Sequence, residues 1–61
     1  MPADPTALED AAFSVACIAG IAATLMKRIE DGSLTKAELA YAVDRLRNKA
    51  QVLAGCAEVL P

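Results

Sequence analysis

Residues 11–26 read AAFSVACIAGIAATLM, a run of sixteen positions without a charged side chain. Acidic residues precede this run and basic residues follow it, and six of its positions are alanine, the strongest helix former. A surface helix normally carries one apolar stripe, whereas this stretch is apolar on most of its circumference. It therefore predicts a helix that is covered by more than one neighbour.

The length and composition of the chain also predict that it needs a neighbour. The 61 residues carry a formal charge of −2 and an apolar fraction of 56%. A chain this short buries little apolar surface when it folds alone. The gain from that burial does not comfortably offset the conformational entropy that the chain loses on folding. Two cysteines without a histidine provide at most one disulfide and cannot fill a four-ligand zinc site. We expect one domain over residues 1–61, stabilised by self-association or by a partner.

Two overlapping signals mark the start of the first helix. Asp4 can cap the helix with Pro5 at the first helical position, or Thr6 and Glu9 can form a capping box. Both readings start the helix near the beginning of the chain. The first helix is predicted over about residues 5–31.

A glycine and a second capping box separate the two helices. Gly32 predicts the end of the first helix, because glycine adopts the left-handed conformation without a steric cost. Thr35 and Glu38 then have the spacing of a capping box. A turn is expected over residues 32–34 and a second helix over about residues 35–59.

Apolar residues in both segments recur at alternating spacings of three and four, the pattern of a supercoiled helix pair. A short turn between helices of equal length predicts an antiparallel hairpin. The predicted fold class is all-α, a two-helix hairpin that dimerises into a four-helix bundle. The expected seam residues are Leu8, Ala11, Val15, Ile18, Ala22, Leu25 and Ile29 in the first helix and Leu39, Val43, Leu46, Ala50, Leu53, Ala57 and Leu60 in the second.

Placing residues at about 100° each around the helices leaves a side rich in small residues. Small residues let helix backbones approach closely, so we assign this side to the interface of a homodimer. Alternatively, the alanines there only raise helix propensity. The residues are Ala12, Ala16, Ala19, Ala23 and Met26 from the first helix, with Ala40, Arg47 and Ala54 from the second.

The opposite side, here named the partner patch, combines apolar and aromatic residues with cations. Aromatic residues and arginine dominate interaction hot spots, so we expect this side to bind another protein. The same residues would also suit the dimer interface, and a higher oligomer would bury both sides. The partner patch consists of Phe13, Cys17, Gly20, Ile21 and Thr24 with Tyr41, Arg45, Lys49 and Val52.

Catalytic residues, cofactor sites and metal sites are not expected. The chain has no histidine, its carboxylates fall mostly at the bundle ends, and its three isolated glycines form no phosphate loop. Cys17 and Cys56 lie on different helices and about 10 Å out of register, beyond the reach of a disulfide. We expect both thiols to be reduced and to serve packing rather than redox chemistry.

A cytoplasmic location is expected, and membrane association is not. Residues 1–4 lack the basic start of a signal peptide, and sixteen uncharged residues fall short of the roughly 18 to 20 that cross a membrane. A competing hypothesis is a membrane-associated helix, since Ala12, Ala16, Gly20 and Thr24 form a run of small residues four apart.

The hairpin of two equal helices, the segment Thr6-Ala7-Leu8, and Phe13 seven positions after Thr6 resemble the Rop family of plasmid copy-number modulators. The resemblance implies a dimeric bundle that binds paired RNA loops through its first helices, with Phe13 at the position of a phenylalanine that contacts RNA. We carry over the bundle and not the RNA activity. Where the family has basic and amide residues on that face, this chain has Glu9, Cys17 and Thr24.

The leading functional prediction is a non-enzymatic homodimeric module that binds another protein and regulates or inhibits it. Its small size suits an accessory factor of a phage, a plasmid or a bacterial locus. The alternative is a Rop-like modulator that binds structured RNA, in which Phe13 and Tyr41 stack on bases and Arg45 and Lys49 contact phosphates. The net charge of −2 gives no broad attraction to nucleic acid.

Overall fold

The computed structural model describes residues 5–60, which form an antiparallel pair of α-helices. Helix α1 spans Pro5–Asp31 and helix α2 spans Lys36–Val59. The two helices pack against each other, so the predicted all-α hairpin is confirmed. Helix α1 already includes Pro5, as expected if proline occupies the first helical position. Asp4, the proposed cap of that helix, lies outside the described residues.

The turn between the helices is built around Gly32, which has a φ of +70°. Its N–H donates a hydrogen bond to the Ile29 carbonyl over 3.1 Å, and the Ser33 N–H donates to the Arg28 carbonyl over 3.0 Å. These two bonds form the Schellman motif, which satisfies carbonyls that the end of a helix leaves unpaired. The chain therefore reverses immediately after α1.

The start of α2 differs in one respect from the predicted capping box. The Thr35 hydroxyl accepts a hydrogen bond from the Glu38 N–H over 3.1 Å, as expected. The Glu38 carboxylate, however, lies 3.4 Å from Nε of Arg28 rather than on the Thr35 N–H. Because the turn brings the last turn of α1 beside the first turn of α2, this carboxylate pairs with a cation across the turn.

The helix seam is the set of buried and half-buried residues along which α1 and α2 pack. Its most buried member is Ser14, whose exposed fraction is 2%. Several other members are small, which lets the helix backbones approach closely. The helix seam comprises Ala7, Ala11, Ser14, Cys17, Ile18, Ile21 and Leu25 in α1 with Glu38, Ala42, Leu46, Lys49, Leu53 and Cys56 in α2 and Leu60 directly after it.

The predicted spacing of the seam residues along each helix is correct. The predicted phase, meaning which side of each helix faces the other, is wrong. Alternate seam positions fall one residue earlier than expected, which rotates the packed side of each helix by about 50° toward the partner patch. Ser14 takes the place predicted for Val15, and Ile21 takes that of Ala22. The larger residues of the expected seam remain exposed as a result: Leu8, Val15, Ile29, Leu39 and Val43.

The hairpin is a rod of 49 × 15 × 13 Å with a radius of gyration of 14.3 Å. A compact chain of this length has a radius of gyration of about 10.5 Å. The chain exposes 4599 Å², roughly 900 Å² more than the ~3,700 Å² of a compact monomer of its mass. One helix seam therefore leaves much of the apolar surface uncovered.

Candidate functional site

One exposed side of the hairpin, here named the apolar face, joins the predicted dimer interface to the large residues that the helix seam leaves out. Every predicted interface residue is exposed, from Ala12 to Met26 in α1 and at Ala40, Arg47 and Ala54 in α2. By helical position, the displaced seam residues point to this same side. The apolar face comprises Leu8, Ala12, Val15, Ala16, Ala19, Ala22, Ala23, Met26 and Ile29 with Leu39, Ala40, Val43, Ala50, Ala54 and Ala57.

The opposite side of the hairpin contains a half-open groove between the two helices, with a volume of about 510 Å³. Its floor is apolar, since Ile21 and Ala42 are buried and Leu25 is half-buried. The groove brings together five of the partner-patch side chains and Gly20. Its lining residues are Cys17, Gly20, Ile21, Thr24, Leu25 and Arg28 from α1 with Glu38, Tyr41, Ala42 and Arg45 from α2.

Ile21 and Val52 do not take the places that the sequence predicts for them. Ile21 was expected to be an exposed contact residue, yet its exposed fraction is 7% and it belongs to the helix seam. The rotation of the helix seam moves it inward, so that it forms the groove floor. Val52 lines a smaller depression of about 310 Å³ nearer the chain ends, together with Val59.

Each of the two aromatic rings holds a cation above it. Cζ of Arg45 lies 5.7 Å from the centroid of the Tyr41 ring, and Nζ of Lys49 lies 5.4 Å from that of the Phe13 ring. Both rings are about two-thirds exposed. Within residues 5–60, neither cation has a carboxylate at ion-pair distance. The partner patch therefore presents two positioned cations beside an apolar groove.

The end of the groove near the turn has a different electrostatic character. Arg28 and Glu38 pair there over 3.4 Å, with their side chains 48% and 41% exposed. Sequence reasoning missed both residues as part of the site. Their positions five residues before and after Ser33 were the available signal, since a tight turn places such residues side by side.

Gly20 leaves α1 open where it borders the groove. A Cβ atom built at Gly20 would meet nothing within 4 Å. The Thr24 hydroxyl donates a hydrogen bond to the Gly20 carbonyl over 3.1 Å, so its polar atom is turned back onto the helix. The groove wall here is consequently formed by backbone and small side chains.

Both cysteines are free thiols, with Cys56 buried in the helix seam and Cys17 half-buried beside the groove. In the part of the chain that the structure describes, no three histidine, cysteine or acidic side chains gather as a metal site would require. These positions agree with packing roles for the two cysteines.

Helix α1 is long and apolar enough over Thr6–Asp31 to cross a membrane, with a mean hydropathy of 1.6 in its 18-residue window. Core helices of soluble proteins and signal sequences share this property. Counting uncharged positions alone had placed the segment below the required length. Only 11% of the window is buried, so the hairpin itself leaves most of this helix exposed.

The chain matches no model of a known protein family, no curated protein and no solved structure.

Proposed function

We propose that this protein is a non-enzymatic, homodimeric helical-hairpin module of the cytoplasm that binds another protein and regulates or inhibits it. The observation that carries the proposal is the presence of two exposed sides with different chemistry. The apolar face consists of aliphatic and small residues, whereas the groove side carries exposed aromatic rings and cations. The first suits self-association, which leaves the second available to a partner.

The exposed area supports the assignment of the apolar face to a dimer. The excess of roughly 900 Å² over a compact monomer is close to the ~800 Å² that each partner contributes to a stable interface. Alanines on this face let a second hairpin approach, while Leu8, Val15 and Val43 supply the larger apolar contacts. Two hairpins joined in this way form a four-helix bundle.

The groove side supports the assignment of partner binding. Tyrosine and arginine are enriched among the residues that dominate binding energy, and Tyr41 and Arg45 stand together at the rim of an apolar groove. An accessory protein of a phage, plasmid or bacterial locus would act by covering a functional surface of its partner. Such inhibition requires no catalytic group.

The proposal is tested with a double substitution on each side of the hairpin. Phe13→Asp with Tyr41→Ala should abolish capture of the host partner and leave helicity and dimer mass unchanged. The matched control, Val15→Asp with Val43→Asp, should convert the dimer to a monomer. Mass is measured by light scattering and helicity by circular dichroism. Dissociation by the first pair and not by the second would show that the two sides are assigned in reverse.

A second candidate function, a membrane-associated helix, is favoured by the apolar character and low burial of α1. Ala12, Ala16, Gly20 and Thr24 provide the small-residue spacing that self-associating membrane helices use. Vesicle flotation separates the two candidates. A discrete dimer that stays at the bottom of the gradient supports the protein-binding module, and flotation with phosphatidylcholine vesicles supports the membrane helix.

A further inference from the structure

We infer that the groove receives an acidic amphipathic helix of the partner protein, an inference that rests on the proposed function. The groove combines an apolar floor with a rim of net positive charge, on which Arg28 is paired with Glu38 and Arg45 is unpaired. The chain as a whole has the opposite charge, −2. A local cationic site on an acidic protein favours a partner segment that carries carboxylates beside apolar anchors.

The shape of the groove favours a helix as the occupant. Along α1 the lining runs from Cys17 to Arg28, which corresponds to about 17 Å or three helical turns. This length accommodates apolar anchors at positions i, i+4 and i+7 of a bound helix. A segment that binds as an added β-strand would instead need an open sheet edge, and the structure has two helices and no strand within residues 5–60.

Arg45 on the rim, and Lys49 one helical turn beyond the groove lining, specify the polar residues of that helix. Arg28 is already paired with Glu38, whereas Arg45 and Lys49 have no carboxylate partner in the described chain. These two cations are four residues apart on α2, so they lie one turn from each other. Two carboxylates similarly spaced on the bound helix would meet them. The Tyr41 and Phe13 rings hold the cations in place and so reduce the ordering cost of binding.

The same observations favour protein over structured RNA. RNA binding draws its affinity from the neutralisation of many phosphates, for which a broad basic surface is the usual footprint. Here one cation of the lining, Arg45, has no carboxylate partner in the described chain, and it borders an apolar floor. An apolar side chain gains from burial in such a floor, whereas a phosphate does not.

The binding probe is a synthetic peptide of about 18 residues, long enough to form a helix on binding. Leucines at i, i+4, i+7 and i+11 form its apolar stripe, glutamates flank the stripe, and one tryptophan reports binding. The protein contains no tryptophan, so this emission comes from the peptide alone. A second peptide has lysine in place of each glutamate, and a third probe is an RNA stem-loop. The acidic peptide should bind at least about tenfold more tightly than either.

Two pairs of variants locate binding in the groove. Arg45→Glu should weaken the acidic peptide at least about tenfold and strengthen the lysine peptide. Its control is Lys27→Glu, which makes the same charge change at an exposed position of α1 outside both the groove lining and the assigned dimer interface, and should alter the affinity less than about twofold. Gly20→Leu should fill the groove and weaken binding, whereas Gly55→Leu, outside the groove lining, should not.

Several outcomes would overturn the inference. They are tighter binding of the lysine peptide or the RNA, equal effects of Arg45→Glu and Lys27→Glu, and the absence of binding by the acidic peptide. The proposed function has a separate readout, because it requires capture of the host partner to depend on Phe13 and Tyr41. If that dependence holds while the acidic peptide fails, the partner-binding module stands and the acidic helix does not.

Discussion

Two glycines of this chain have opposite structural roles. Gly32 adopts a φ of +70° and carries the Schellman turn, a conformation that costs other residues a steric penalty. Gly20 lies inside α1 with a negative φ, and a Cβ atom there would meet open space. The backbone requires glycine at position 32, whereas at position 20 the missing side chain opens the groove.

The same substitution should therefore have opposite effects at the two sites. Gly32→Ala should lower the free energy of unfolding by about 1 kcal/mol, because alanine disfavours the left-handed conformation. Gly20→Ala should raise it by about 0.5–1 kcal/mol through higher helix propensity. Urea denaturation monitored by circular dichroism measures both. A stabilising Gly32→Ala would contradict the left-handed turn.

Two substitutions at the start of α2 separate the stability contribution of the helix cap from that of the ion pair. Thr35→Ala removes the acceptor for the Glu38 N–H and should cost about 1 kcal/mol. Glu38→Gln removes only an ion pair whose side chains are nearly half exposed, and should cost less than about 0.5 kcal/mol. Denaturation at low salt and in ~1 M NaCl distinguishes them, because screening should abolish the second effect and spare the first. Salt sensitivity of the Thr35→Ala cost would contradict this division.

At the scale of the helices, local sequence signals predict the hairpin but not its rotation. The glycine turn, the Thr35 cap and the spacings of three and four are properties of short segments. The phase of the seam instead depends on how closely two helices approach. Residues 11–26 are apolar in both phases, so the pattern favours large Val15, while the packed hairpin buries small Ser14. The close approach of the two helix backbones favours Ser14 over Val15 in the seam. This approach depends on tertiary packing and not on the local sequence.

A larger side chain at a seam position tests which side of each helix is packed. Ser14→Leu should lower the free energy of unfolding by about 1–3 kcal/mol, because the site is fully buried between the helices. Ala37→Leu introduces the same side chain at an exposed position of α2 and should change the stability by less than about 0.5 kcal/mol. Urea denaturation of the two variants against the native chain measures the difference. A stabilising Ser14→Leu would indicate the seam phase that places Val15 between the helices.

At the scale of the whole molecule, the sequence predicts which residues share the partner patch better than it predicts the groove that they form. Helical position correctly groups Cys17, Thr24, Tyr41 and Arg45, because residues on one helical face stay neighbours whatever the helices pack against. The rotation of the helix seam turns Ile21 into the groove floor. The same rotation exposes the large residues of the apolar face, so the rod itself leaves them uncovered.

If a second copy of the chain covers the apolar face, folding and dimerisation are coupled. The stability should then depend on the protein concentration. If the hairpin unfolds as a dimer, each tenfold rise in protein concentration should raise Tm by about 5 °C, given typical unfolding entropies for two chains of this length. Val15→Asp places a charge in the apolar face and should remove this dependence together with the dimer mass. Phe13→Asp, on the groove side, is the control that should preserve both. Calorimetry over a hundredfold concentration range decides the matter, since a monomeric rod would melt at one temperature throughout.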